Sequence, residues 1–121
     1  MRRSQTPRRE ADVLAACRAL LTLRGIPHWR QNSGALRVDG RFVRFGLPGC
    51  SDLIGILPRS GRLIACEVKR PGGQLTAAQR AFLDAVNAAG GVGIVVEDVK
   101  VLARVLDRLM ADPWAAIDGP D

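Results

Sequence analysis

At 121 residues and 47% hydrophobic content, the chain is long enough for one compact domain with a modest core. Aromatic content of 4% without a single Tyr leaves few stacking platforms for single-stranded bases. No apolar run reaches bilayer-spanning length, and the N-terminus lacks the apolar segment of a signal peptide. The formal net charge of +6 is lopsided: residues 1–44 hold ten Arg against Glu10, Asp12 and Asp39, whereas residues 45–121 set eight basic groups against nine acidic ones. A basic N-terminal third of this kind is expected of a protein that meets phosphate.

Residues 1–5 read as a basic tail. Thr6-Pro7 then supplies an N-cap followed by proline at the first helical position. The helix is predicted to run to Arg24, with Gly25 as its stop. Val13, Leu14, Cys17, Leu20 and Leu21 make a core-facing stripe, and Glu10 sits at its N-terminal, inward end. From helix geometry alone, Glu10 is either a first-turn acid favoured by the helix dipole or a carboxylate reaching a site. Ile26–Arg30 reads as a short strand, with His28 as a surface or packing residue. Gln31 to Gly34 form a loop in which Asn32 and Ser33 are candidates for phosphate contact. Strands are predicted over 35–38 and 41–45 around Asp39-Gly40, a strong two-residue hairpin signal. Arg37, Arg41 and Arg44 decorate this ribbon as solvated charges or as phosphate contacts. Gly46 to Gly49 are small enough to let nucleic acid approach the backbone.

The segment from Gly49 to Gln79 carries the chemistry. Two short runs rich in Ile, Leu and Val flank Pro58-Arg59-Ser60-Gly61, the pattern of a hairpin between buried strands. Asp52 opens the first run, and Glu67-Val68-Lys69 closes the second. If the four turn residues make Leu57 face Arg62, the same register makes Asp52 face Glu67, with Cβ atoms roughly 4.5–5.5 Å apart. Glu67 and Lys69 then share a face, because side chains alternate along a strand. Opposed carboxylates destabilise a sheet unless something positive lies between them, and a hard divalent cation such as Mg²⁺ is the natural candidate. Lys69 is one of only two lysines among eighteen basic residues, as if a compact ammonium were needed where Arg's planar fork would not serve.

Arg70 begins an exposed loop through Gly73. Thr76 to Gln79 read as a capping box opening a helix to about Ala89. Phe82, Leu83 and Val86 are its buried face, and Gly90-Gly91 end it. Residues 93–96 are a buried strand, 99–110 an amphipathic helix, and 112–121 a loosely held tail, with a single domain over residues 1–111. Cys17, Cys50 and Cys66 are odd in number and show no metal-ligand or disulfide spacing, which points to reduced thiols and a cytoplasmic setting.

A helix-borne acid, Gly-x-x-Asp, Glu-x-Lys and a following helix carrying Gln resemble the PD-(D/E)xK nuclease superfamily. The similarity is closest to its VRR-NUC branch and extends from Glu10 through the strand at Gly93. The resemblance implies a restriction-endonuclease-like α/β fold, with an α-β-β-β-α-β core and a mixed sheet. It also implies a Mg²⁺- or Mn²⁺-dependent phosphodiesterase site. Carried over by position, Asp52, Glu67, Glu10 and the Val68 backbone carbonyl become metal ligands. Lys69 orients or polarises the attacking water, and Gln79 faces the site as well as capping its helix. Stand-alone members of the branch, found in phages and bacteria, imply a homodimer acting on branched DNA such as Holliday junctions. Ser51 stands in place of the family's proline, and Val96-Glu97-Asp98 lacks the arginines that give the branch its name. The expected function is a metal-dependent DNA endonuclease whose basic surface, including Arg70, holds the backbone. The alternatives are a catalytically inactive nuclease-fold module that binds DNA, and a nuclease directed at RNA or at linear ends.

Overall fold

The computed structural model describes residues 10–31 and 34–118. The basic tail, the helix start at Thr6-Pro7, and Asn32 and Ser33 lie outside the described residues. The element order is α1 (Glu10–Leu23), β1 (His28–Arg30), β2 (Gly34–Val38), β3 (Arg41–Phe45), β4 (Leu53–Ile56), β5 (Leu63–Val68), α2 (Ala77–Ala88), β6 (Val92–Val96) and α3 (Val99–Ala111). Strands β1, β4, β5 and β6 form one mixed sheet in that order, antiparallel except for the parallel β5–β6 pair. Strands β2 and β3 form a separate ribbon, so the α-β-β-β-α-β core is α1, β1, β4, β5, α2 and β6 with that ribbon inserted.

The period-two pattern of β5 divides the core. Ile64, Cys66 and Val68 pack with Val13, Cys17 and Leu21 of α1 and with Leu102, Leu106 and Leu109 of α3. Ala65 points to the opposite face, where Leu83 and Val86 of α2 join Ile54. The Val13, Cys17, Leu21 spacing is that of one helical face, as expected from the sequence. Each such leucine removed wholly from water contributes about 1.5–3 kcal/mol. Helix α1 stops where Gly25 takes a left-handed φ of 69°; the Gly25 and Ile26 amides then close on Thr22 and Leu21 carbonyls as a Schellman pair. The ribbon turns at Asp39 and Gly40, both left-handed (φ 49° and 75°), the geometry that a tight two-residue hairpin demands.

The register of the central hairpin is the one read from the turn. Leu53 faces Cys66, Ile54 faces Ala65, Gly55 faces Ile64 and Ile56 faces Leu63. Leu57 donates to the Arg62 carbonyl at 2.8 Å, closing the turn.

Two segments are held more closely than local sequence suggests. The segment after α3 is not loosely held as far as Ile117: Ala115 is buried, Ile117 packs on the core, and Arg62 Nη1 donates to the carbonyls of Pro113 (3.0 Å) and Ala115 (2.9 Å). Gly49 has a structural reason to be small, since a Cβ there would lie 2.3 Å from the Ala78 carbonyl oxygen, and its φ is +80°. The loop entering β4 thus rests directly on the first turn of α2, and closeness to nucleic acid is not needed to explain the residue.

Gly49→Ala is expected to cost more than about 2 kcal/mol, because left-handed strain adds to a backbone clash that no rotamer relieves. Urea denaturation of the variant against wild type measures it, and an unchanged midpoint would show that the loop and α2 do not meet this closely.

Candidate active site

One end of the β4–β5 pair gathers the acidic groups. Asp52 lies one residue before β4, and the ladder from Leu53–Cys66 carries it opposite Glu67. Here the backbone ladder gives way to side chains. The Asp52 carbonyl accepts from Gln31 N–H at 2.8 Å, and Asp52 Oδ2 accepts from Val68 N–H at 2.8 Å. The Asp52 carboxylate is therefore locked by a strand amide instead of swinging in solvent.

Glu67 is only 2% exposed. Gln79 Nε2 reaches its Oε2 at 3.5 Å, the long limit of a hydrogen bond, and its Oε1 is buried without a hydrogen-bond donor among the described residues. Burial raises the Glu67 pKa to about 8, helped by hydrogen bonding and repulsion from Asp52 and by the charge of Glu10, against a lowering by Lys69. At neutral pH without a cation, the buried pair therefore holds a proton in place of a second negative charge.

Both ends of the Gln79 amide are engaged. Its Oε1 accepts from Thr76 N–H at 2.9 Å, while Thr76 Oγ1 accepts from Gln79 N–H at 3.1 Å, completing the capping box. The other end of the same amide faces Glu67. The cap fixes the rotamer that points Nε2 into the site.

Glu10 is exposed at the start of α1, and its Oε1 accepts from Arg70 N–H at 3.4 Å, which brings it to the same end of the sheet. It shares with Asp52 and Val68 a hollow of about 400 Å³. Lys69 follows β5 directly and extends the β5–β6 ladder through its amide to the Val96 carbonyl (3.1 Å). Its ammonium acts on Glu67 through charge, and among the described residues it forms no ion pair with Glu67. Among the described residues, no three His, Cys, Asp or Glu side chains stand close enough to make a complete cation cage.

The carboxylates nonetheless fit a divalent ion. Two hard oxygen donors from neighbouring strands meet at one point, and one buried Glu67 oxygen has nothing to accept from. Ser51, in the family's proline position, is fully buried, and its Oγ is the other buried side-chain atom without a partner among the described residues. Both orphans thus lie at this site.

The hollow also contains two arginines that the sequence reading passed over, Arg18 and Arg30. Arg18 lies eight residues after Glu10, on the same helical face, which spacing could have revealed. Arg30 is placed by pairing with Leu53, which only the sheet supplies. Arg37, Arg41 and Arg70 are exposed but do not line the hollow, and Arg37 stacks over Phe42 at 5.1 Å. Arg44 pairs by backbone with Ala35, and its side chain lies outside the described ones. Cys17, Cys50 and Cys66 are free thiols, and burial raises the Cys17 pKa to about 11. A separate apolar hollow of about 190 Å³, lined by Leu57, Leu106 and Leu109 among others, lies by the Pro58–Ser60 turn, and no acid is among its lining residues.

An α-β-β-β-α-β core carrying an acidic pair beside a Glu-x-Lys defines a nuclease-type domain with a restriction-endonuclease-like architecture. Comparison with protein families narrows this: the chain belongs to the VRR-NUC domain family, whose sequence model matches residues 4–101. No curated protein matches the chain. As a nuclease-type domain it has DNA as its partner, and no described helix is long and apolar enough to cross a membrane.

Because Glu67 titrates near 8 when folded and at 4.5 when free, its contribution is fully present below pH 4.5 and is lost as pH rises through 8. In chelator, the protein is expected to lose stability between about pH 5 and 8, by at most roughly 1.4 kcal/mol per unit. Glu67→Gln should flatten that slope in denaturant titrations run at each pH; an equal slope in the variant would assign the effect to another group.

Proposed function

We propose that this chain is a Mg²⁺- or Mn²⁺-dependent endonuclease that hydrolyses DNA phosphodiester bonds. The observation that carries the reading is the buried Glu67 carboxylate set against Asp52, with one oxygen unpartnered. Such an arrangement is costly unless a positive ligand occupies it.

Asp52, Glu67 and the Val68 carbonyl would hold the ion, with Glu10 as an outer acid. When bound, the ion supplies a water nucleophile at neutral pH and neutralises charge on the phosphate. The protein's part is positional and electrostatic. The Val68 amide fixes the Asp52 carboxylate, and the capped Gln79 amide steadies Glu67. The Lys69 ammonium polarises the attacking water and stabilises charge developing on the phosphate oxygens. The finer reading, branched DNA such as a four-way junction cut by a homodimer, is supported by the resemblance to stand-alone members of the family.

One observation favours a second reading, a DNA-binding module without catalysis: the described residues form no three-group cation cage. The two are separated by incubating the protein with duplex, single-stranded and four-way DNA, and with RNA, with and without Mg²⁺. Cleavage that stops in chelator is expected. Lys69→Ala and Asp52→Asn should each lower the rate by on the order of 10²–10³-fold while DNA binding persists. Full activity in both variants would remove the proposed chemistry, and tight wild-type binding with no cleavage under any condition would select the inactive module.

A further inference from the structure

The hollow beside the carboxylates has a second wall. Helix α1 contributes Glu10, Ala11, Ala15 and Arg18 to it, and β1 contributes Arg30 at its end. Arg18 and Arg30 are both exposed, and neither forms an ion pair or hydrogen bond among the described residues. Three other arginines are engaged. Arg24 is bound to Asp107 at 2.8 Å, Arg59 to the Met110 carbonyl at 3.0 Å, and Arg62 to three carbonyls. Two guanidiniums that line one open hollow with Glu10 and Asp52, without a partner among the described residues, are poorly explained by stability.

We infer that this hollow is the track for one DNA strand, with Arg30 and Arg18 gripping phosphates that flank the scissile one. Arg30 pairs with Leu53, the residue after Asp52, so it belongs to the phosphate next to the carboxylates. Arg18 lies eight residues along α1 from Glu10, about 12 Å at helical rise, so it holds the strand further along. Between them the wall is uncharged, made by Ala11, Leu14 and Ala15, which leaves a hollow of about 400 Å³ for a sugar-phosphate chain to enter. Guanidinium suits the task, since its planar fork meets phosphate oxygens in pairs. The acids would repel the strand, and the arginines set where it crosses them. Sequence-independent contact of this kind positions the backbone without reading bases.

This inference rests on the nuclease reading for the identity of the polymer, and the experiment separates the two. Binding of a fluorescein-labelled duplex and of a four-way junction is followed by anisotropy in chelator across a range of salt concentrations. Wild type is compared with R18Q/R30Q, R18K/R30K, Lys69→Ala, and Arg104→Gln as an exposed control on α3. Cleavage in Mg²⁺ is measured in parallel. R18Q/R30Q should bind at least about tenfold more weakly, and the slope of log affinity against log salt should shrink by about 2. R18K/R30K should recover most of that slope, which a merely structural role would not produce. Arg104→Gln should bind as wild type does. Wild-type affinity and slope in R18Q/R30Q overturn the track, even if loss of cutting by Lys69→Ala upholds the nuclease. Conversely, a wild type that cuts nothing, yet loses binding with Arg18 and Arg30, upholds the track and sinks the nuclease. A wild type that binds neither DNA overturns both.

Discussion

The antiparallel register of β4 against β5 is the constraint on which the site depends. It places Asp52 opposite Glu67 at the point where the ladder ends, and the Asp52 side chain takes over as acceptor for the next strand amide. A slip of one residue would turn Glu67 to the face of α1 and α3 and expose the residues now packed there. The hydrophobic pattern of the two strands therefore positions the acids as a by-product of burying Leu53, Ile64, Cys66 and Val68. The cost falls on the acids, which are pressed together in a poorly solvated position.

The two ends of this hairpin differ in how fully they are satisfied. At the Pro58–Gly61 turn, Arg62 closes on the carbonyls of Gly90, Pro113 and Ala115 and lies 5.9 Å from the Trp114 ring, so the turn, the end of α2 and the C-terminal segment are tied together. Arg59 caps the end of α3 through the Met110 carbonyl. At the acidic end, Ser51 Oγ and Glu67 Oε1 remain unpaired. Buried polar atoms are nearly always paired in folded proteins, so these two orphans among the described residues set this end of the hairpin apart from the turn end.

Helix α2 links the two demands. Gly49 lets the loop before β4 touch the Ala78 backbone, and the capping box holds Gln79 so that its amide faces Glu67. A cap that satisfies a helix terminus thus also orients a functional side chain. Among the arginines, Arg24, Arg59 and Arg62 tie elements together through their acceptors, whereas Arg18 and Arg30 line the hollow with Glu10 and Asp52.

The sequence alone determined the main elements and the central hairpin register that sets Asp52 opposite Glu67, whereas it joined Glu10 and Gln79 to them only through a family resemblance. These follow from local rules: strand alternation, turn chemistry at Pro58–Gly61 and Asp39-Gly40, and a capping signature within four residues. Only the tertiary structure decided that Glu67 is buried with a raised pKa, that the Gln79 amide caps its helix and also reaches Glu67, that residues 113–117 are docked, and that Arg18 and Arg30 share a hollow with Glu10 and Asp52. Each of these depends on what a distant segment brings close, whether Arg62 to Ala115, β1 to β4 or α1 to the end of β5. Local rules are silent there, because burial and partner choice are properties of the assembled sheet and its two helical layers.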